Sequence, residues 1–263
     1  MKKILLKITI ISCLILTILL GGFLYLHQNL KTDVLALKTQ YPVWGGSSYI
    51  LTEEKPSFWT SESNVSFKAK WAIIVSEDWA FYDHSGIDEN QLRKAIEESV
   101  EAGELVRGAS TITQQVVKNA LLTSEKTLTR KLREVFYAMY LEHYFTKNEI
   151  LEIYLNLIEL GENIYGISKA SKFYFNKTPL QLTGKEGAFL AMLLPSPKKY
   201  AQSFRDRKLT KFASEQVSNI LVKLRQAGII KEEERLIYEN ENLSFEVTDF
   251  FSEDLLSVEN ESY

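Results

Sequence analysis

An uncharged apolar segment near the N-terminus constrains the fold of this chain more than any other feature. Residues 8–26 carry no charged side chain. A helix of that length, rising about 1.5 Å per residue, reaches across roughly 30 Å of hydrocarbon. Lysines at positions 2, 3 and 7 precede the segment, so the positive-inside rule predicts a cytoplasmic segment 1–7 and an extracytoplasmic remainder after the span. The alternative is a cleaved signal peptide, but no small-x-small cleavage site follows the apolar run.

Charge is distributed unevenly along the chain. The formal net charge is −3, yet the first seven residues are basic and residues 232–263 are strongly acidic, which leaves a mildly basic middle. Such a middle suits an anionic membrane surface or a pyrophosphate, and we predict no nucleic-acid partner. The acidic tail is expected to be a solvated end, although Leu236, Phe245 and Val247 would allow it to dock. Cys13 is the single cysteine, so no intramolecular disulfide can form.

Helix-capping patterns organise the region after the anchor. Three Thr-x-x-Glu/Gln sequences predict helices that end near residues 120, 157 and 194, and a further helix is predicted over residues 206–227. Residues 27–66 contain Pro, Gly and Ser punctuation and are predicted to form a stalk of turns and short extended pieces. The predicted capping pairs are Thr111 with Gln114, Thr146 with Glu149, and Thr183 with Glu186.

One helix is predicted between residues 124 and 145, and two of its faces are predicted to have different functions. One face is an apolar stripe at helical spacing that is predicted to be buried, namely Leu128, Leu132, Val135, Phe136 and Met139. Arg130, Lys131 and Glu134 lie three or four residues apart, so their heads share another face and can meet one ligand. The expected fold class is mainly α, with a catalytic domain over residues 67–231.

Several carboxylate and basic side chains are candidates for group transfer from a phosphorylated donor, which requires one base and several cations. An ionised carboxylate takes the proton from the attacking hydroxyl, and Lys or Arg stabilises the charge on the departing phosphate. Glu77 suits the first role, and Lys118, Arg130 and Lys131 suit the second. If one base directs attack on the face opposite the departing phosphate, the configuration at the attacked carbon is inverted. Taken one by one, these residues are more typical of a solvated turn or of an exposed salt-bridging face than of a catalytic site.

Their combination resembles the signature of glycosyltransferase family 51, the peptidoglycan glycosyltransferases. The resemblance covers roughly residues 68–225 and is carried by four motifs in order. The first comprises Glu77, Asp78, Phe81, His84 and Gly86; the second Gly108, Ala109, Ser110, Thr111, Thr113, Gln114, Gln115, Lys118 and Asn119; the third Arg130, Lys131 and Glu134; and the fourth Lys147, Ile150, Leu151, Tyr154, Leu155 and Asn156.

The resemblance implies a lysozyme-like glycosyltransferase domain, preceded by one N-terminal transmembrane helix, with a smaller membrane-dipping subdomain at about residues 90–106. It implies polymerisation of lipid II into glycan strands, with release of undecaprenyl pyrophosphate, at the bacterial cytoplasmic (inner) membrane. The segment after residue 231 is too short for a transpeptidase domain, so the resemblance is to the monofunctional form of the family. No β-lactam binding is therefore expected. The implied partners are lipid II, the growing glycan strand and the bilayer, with penicillin-binding proteins and divisome or elongation proteins as further candidates.

The resemblance also implies roles for individual residues. Glu77 would activate the 4-hydroxyl of the acceptor sugar, and Glu134 would act with the basic residues at the pyrophosphate, where a divalent cation such as Mg²⁺ or Mn²⁺ is allowed but not required. The implied substrate-binding residues are Asp78, Ser110, Thr111, Gln114, Lys118, Asn119, Arg130 and Lys131.

Two other functions remain open at this point. A membrane-bound lytic transglycosylase would also use one Glu, but it has no need of a pyrophosphate-binding cluster. A scaffold without catalytic activity could recruit wall-synthesis partners, but it would have no need of Glu77, Lys131 and Glu134.

Overall fold

The computed structural model describes residues 2–103, 108, 110–123, 125 and 127–247, and this part of the chain is mainly α-helical. Ala109 of the second motif and the end of the acidic tail, 248–263, lie outside the described residues. The helices are α1 (Lys2–Ala36), α2 (Phe67–Glu77), α3 (Glu89–Ala102), α4 (Ile112–Ala120), α5 (Leu128–Tyr144), α6 (Lys147–Leu157), α7 (Ile167–Phe175), α8 (Gly184–Leu193), α9 (Pro197–Tyr200), α10 (Gln202–Arg205), α11 (Lys211–Gln226) and α12 (Glu232–Asn240).

The N-terminal helix runs well beyond the expected span. Its segment Thr9–Ala36 is long and apolar enough to cross a membrane, and an 18-residue stretch within it has a mean hydropathy of 2.3. The sequence prediction of an irregular stalk is wrong for residues 27–36, because this part of α1 packs against α5. Leu30 and Val34 are buried, and the Tyr137 hydroxyl of α5 donates to Asp33 Oδ2 at 2.5 Å. The helix therefore continues from the apolar segment directly into the domain.

A short hairpin follows α1. Strands β1 (Tyr41–Trp44) and β2 (Tyr49–Thr52) pair antiparallel, with Tyr41 opposite Thr52 and Trp44 opposite Tyr49. The hairpin is fixed to the domain through the Tyr49 hydroxyl, which donates to the carbonyl oxygen of Leu157 at the end of α6. The expectation of short extended pieces holds for this part of the segment.

Helix α8 forms the centre of the core. Every residue from Gly184 to Leu193 is buried, as expected for a helix surrounded by other helices. Helices α2 and α11 both pack against it. The contact with α2 is close because Gly187 lacks a side chain: a Cβ there would lie 2.4 Å from the Cα of Ala69. This packing fixes α2, and with it the residues at its C-terminal end.

The predicted capping boxes are present in the structure. Helices α4, α6 and α8 begin after Thr111, Thr146 and Thr183, and each threonine exchanges hydrogen bonds with the residue three positions on. Helix α11 begins at Lys211, five residues later than predicted. Arg207 has a φ of 52°, which interrupts any helix, and the Thr210 side chain then caps α11.

The predicted burial of the α5 apolar stripe is wrong. Leu128, Leu132, Phe136 and Met139 are between 50% and 77% exposed. The buried face of α5 instead comprises Glu134, Tyr137, Ala138 and Leu141. Helical spacing identifies an apolar face but not what covers it, and here α1 and α4 pack on other sides of the helix.

The described part of the acidic tail docks on the domain. Lys68 of α2 forms an ion pair with Glu234 of α12, and Lys185 of α8 donates to the carbonyl oxygen of Glu241. Beyond α12, the ring of Phe245 lies 5.1 Å from that of Phe189. Residues 232–247 are thus packed, which differs from the expectation of a solvated end.

Candidate active site

Glu77 is the last residue of α2 and lies in a cavity of about 310 Å³. The residues before it, Ile73 to Val75, are buried in the core, so the carboxylate is held on a rigid element. The Gln115 side-chain amide of α4 donates to Glu77 Oε2 at 2.9 Å. Gln115 is oriented by Tyr154, whose hydroxyl lies 3.5 Å from Gln115 Oε1. One carboxylate oxygen of Glu77 is therefore bound, and the group faces an open cavity.

The surroundings of Glu77 change its acidity. Burial raises the pKa of the Glu77 carboxyl above its usual value, and the neighbouring Asp78 charge raises it further. The hydrogen bond from Gln115 and the charges of Lys223 and Lys118 oppose this rise in pKa. A carboxylate made more basic by burial and kept available by nearby cations has the properties of a general base.

Asp78 joins the end of α2 to the start of α4. It is buried, and its two oxygens lie 3.0 Å from Nε2 of His84, while Oδ2 accepts from the Ile112 backbone N–H at 2.9 Å. The Gly86 N–H donates to His84 Nδ1, so the proton of the neutral ring lies on Nε2 and points to Asp78. Asp78 thus has a structural function here, and its substrate-binding role remains a prediction.

Thr111 and Gln114 also form hydrogen bonds within the protein. Both are buried, and they form the capping box at the start of α4. The Thr111 hydroxyl in addition donates to the Gly86 carbonyl oxygen at 2.7 Å. These bonds shape the wall of the site, and direct contact of either side chain with substrate remains a prediction.

A second cluster surrounds Glu134. Its side chain is 1% exposed, and its oxygens accept from Arg130 at 2.8 Å and from Lys131. Lys131 Nζ also donates to Ser110 Oγ at 3.0 Å. Ser110 lines the cavity that contains Glu77, so the carboxylate and the cationic cluster meet at this serine.

Lys118, Asn119 and Arg130 line a neighbouring cavity of about 540 Å³. Its other wall is the hairpin, which contributes Trp44 and Tyr49. The sequence motifs did not indicate that the hairpin would approach the basic residues, because its contacts are formed by residues far apart in the chain.

The residues around Glu134 do not fit a divalent cation. Both carboxylate oxygens accept hydrogen bonds from cationic side chains, which would repel a metal ion. Within the described part of the chain, no group of three or more His, Cys, Asp or Glu residues could hold a metal. No step of the mechanism below requires one.

Two residues of the site were not among the predicted site residues, although Gln115 belongs to the second motif. Gln115 could be taken for a helix-surface amide, although it lies one turn from Thr111 on the cavity side of α4. Lys223 of α11 lines the cavity of Glu77 from a segment more than a hundred residues away in sequence. A single sequence contains no signal that could have placed Lys223 there.

Gly86 holds the loop between α2 and α3 in a conformation that requires glycine. Its φ is 94°, and an added Cβ would lie 3.0 Å from the Ala138 carbonyl oxygen. We expect Gly86→Ala to destabilise the fold by about 2 kcal/mol, measured by thermal unfolding in detergent. Gly103→Ala is the matched control, since Gly103 has a φ of 70° but open space around it, and about 1 kcal/mol is expected. Equal losses would show that the contact with Ala138 does not matter.

A buried carboxylate beside a cationic cluster is the arrangement expected of an enzyme that transfers a group from a phosphorylated donor. Comparison with known proteins agrees with this assignment. The family model described as Transglycosylase matches residues 47–225. A biosynthetic peptidoglycan transglycosylase of Acinetobacter baumannii is 33% identical over 204 residues, which cover 74% of this chain and 89% of that protein.

Two longer proteins are also similar. Penicillin-binding protein 1F of Bacillus subtilis is 37% identical over 187 residues, which cover 71% of this chain and 26% of that protein. The solved structure of penicillin-binding protein 1A from Haemophilus influenzae is 23% identical, with a TM-score of 0.32, and the match covers 56% of this chain and 19% of that one.

The chain belongs to the transglycosylase family, and it is a peptidoglycan glycosyltransferase of cell-wall synthesis. The predictions of family, enzyme class and a mainly helical, lysozyme-like fold with an apolar N-terminal helix are confirmed. That helix is consistent with a single-pass membrane anchor.

Proposed function

We propose that this chain polymerises lipid II into glycan strands at the outer face of the bacterial cytoplasmic membrane, with Glu77 as the catalytic base. One observation carries the proposal. Ser110 lines the cavity of Glu77 and also accepts a hydrogen bond from Lys131, so this serine links the proposed base to the cationic cluster.

In the proposed reaction, Glu77 accepts the proton of the 4-hydroxyl of the acceptor N-acetylglucosamine. The hydroxyl oxygen attacks the anomeric carbon of the donor sugar from the face opposite the phosphate, forming the glycosidic bond with inversion. The carbon–oxygen bond to the phosphate breaks, and undecaprenyl pyrophosphate leaves with the bonding electrons. Arg130, Lys131 and Lys118 stabilise the charge that develops on it.

In this scheme Glu134 acts on the cations and not on the sugar. It neutralises part of the charge of Arg130 and Lys131 and fixes the positions of their heads. Asn119 lines the cavity beside Lys118 and Arg130, where it can donate to a phosphate or a sugar.

Three apolar surfaces support the proposed membrane arrangement. Helix α1 spans the bilayer with Lys2, Lys3 and Lys7 on the cytoplasmic side. On α3, Leu92, Ile96 and Val100 are exposed, and a groove of about 710 Å³ runs between α3 and α5 to Lys131. A polyprenyl chain in this groove would place its pyrophosphate at Lys131. The exposed face of α5 then also borders lipid.

The test is to compare two substrates. Purified protein in detergent should convert labelled lipid II to polymer and should release no soluble muropeptides from purified sacculi. Release from sacculi without polymer formation would favour a lytic transglycosylase, and no reaction from folded protein in liposomes would favour a scaffold.

Lys131 offers a test of the cationic cluster. We expect Lys131→Ala to reduce the rate of polymerisation about 10- to 50-fold, because one cation at the leaving group is lost. Arg133→Ala is the control, since Arg133 is an exposed cation on the same helix. Initial rates with labelled lipid II measure both, and a Lys131→Ala protein as fast as wild type would contradict the role at the pyrophosphate.

A further inference from the structure

Lys223 contributes a charge to the active-site cavity that neither the sequence motifs nor the mechanism above uses. It lies on α11, whose buried residues Val217, Ile220 and Leu224 pack the helix into the core. Helix α11 also packs against α2, the helix that ends at Glu77. Lys223 is partly buried and lines the same cavity of about 310 Å³ as the Glu77 carboxylate.

Among the residues that the structure describes, Lys223 has no ion-pair partner. Within residues 2–103, 108, 110–123, 125 and 127–247, no carboxylate lies within ion-pair distance of its ammonium group. This contrasts with Lys131 and Arg130, which are both bound to Glu134. Lys223 therefore lines the cavity without an ion-pair partner in the described part of the chain.

Charged groups of both signs and one buried phenol lie near Glu77. Asp78 follows it directly and is paired with His84, and Asp88 lies in the cavity wall. Tyr154 of α6 is buried, and burial raises the pKa of its hydroxyl well above the usual value, so it stays neutral. The opposing cations are Lys118 from α4 and Lys223 from α11, and Lys223 lowers the pKa of Glu77 more strongly than Lys118 does.

We infer that Lys223 is a positioning residue that keeps the Glu77 carboxylate ionised by facing it across the cavity from α11. The inference rests on the proposed role of Glu77 as base. A buried carboxylate can accept a proton from the acceptor hydroxyl only while it is charged, and a cation in a water-poor cavity favours that state. Because Lys118 is assigned to the departing pyrophosphate, it is engaged by substrate during the reaction, whereas Lys223 remains free to act on Glu77.

The test is the pH dependence of kcat/KM for lipid II polymerisation by Lys223→Met in detergent. Loss of the cation should move the acidic limb of the profile to higher pH by about 0.5 to 1 unit. On that limb the rate should fall about 3- to 10-fold, while the plateau changes less than about twofold. Lys223→Gln should show the same displacement if the methionine variant folds poorly, and Lys223→Arg should retain the wild-type limb.

Lys211→Met is the matched control, since Lys211 is an exposed lysine at the start of the same helix. Its pH profile should equal that of the wild type. A Lys223→Met profile with an unmoved limb overturns the inference. A raised KM with an unmoved limb also overturns it, because Lys223 would then bind an anionic group of the substrate. An equal loss of kcat/KM at every pH, together with a lower Tm, would overturn it as well, because the role of Lys223 would then be purely structural.

Glu77→Gln assayed in parallel separates this inference from the proposed function. If Glu77→Gln is inactive at every pH and the Lys223→Met limb does not move, only the role of Lys223 fails. If Glu77→Gln polymerises lipid II like the wild type, the proposed base itself is wrong.

Discussion

Glu77→Gln is expected to reduce lipid II polymerisation about 10²- to 10⁴-fold, the range that a general base contributes. Glutamine has nearly the same shape as glutamate and keeps a side-chain oxygen for the Gln115 amide, but it cannot accept the proton of the attacking hydroxyl. Initial rates from labelled lipid II, at the pH optimum of the wild type, measure the effect. A loss of less than tenfold would contradict the assignment of Glu77 as base.

The same variant should be more stable than the wild type. Burial raises the pKa of Glu77 in the folded state, so holding the charged carboxylate there costs free energy at neutral pH. That cost is fully present above the pKa that Glu77 has in the folded state. It disappears as the pH falls below the pKa that Glu77 has in the unfolded chain. Thermal unfolding should therefore give Glu77→Gln a higher Tm than the wild type at pH 7.5 and an equal Tm at about pH 4. If Glu77→Gln had a lower Tm than the wild type at pH 7.5, its loss of activity would be explained by misfolding.

Glu134→Gln is expected to produce the second largest effect, a loss of polymerisation of about 10²-fold. The substitution removes the charge that holds Arg130 and Lys131 together, so both cations lose their fixed positions at the leaving group. We also expect a loss of about 2 kcal/mol of stability, less than for a fully buried pair because Lys131 is 44% exposed. Rates are to be compared per folded protein, with the folded fraction measured by thermal unfolding.

Glu142→Gln is the matched control for Glu134→Gln. Glu142 lies on the same helix and is mostly buried, and it forms an ion pair with Lys147 at 2.7 Å and accepts from the Thr113 hydroxyl at 2.6 Å. It does not line the cavity of Glu77. Its loss should lower the Tm while leaving the rate per folded molecule within about twofold of wild type. Equal losses of rate in both variants would mean that α5 acts only through stability.

The local elements of this fold were predictable because short-range chemistry determines them. Thr111, Thr146 and Thr183 each bond to a backbone amide three residues on, so the first residues of α4, α6 and α8 follow from four-residue patterns. The motif residues Glu77 and Lys131 were likewise identifiable, because the family pattern fixes both their types and their spacing.

The contacts between distant segments were not predictable from one sequence. The apolar residues Leu132 and Phe136 were expected in the core, but spacing alone does not distinguish a protein core from a lipid-facing surface. The continuation of α1 to Ala36 depends on α5, which provides the hydroxyl that binds Asp33. Lys223 reaches Glu77 only because α11 packs on α2.

The most direct test of the proposed function is gel separation of the products formed from labelled lipid II by the wild type and by Glu77→Gln. For the wild type we predict a ladder of glycan strands that disappears on muramidase digestion, and for Glu77→Gln unreacted lipid II from a protein that is folded by its Tm. Ladders of equal intensity from both proteins would contradict the central claim that Glu77 is the base of a glycan polymerase.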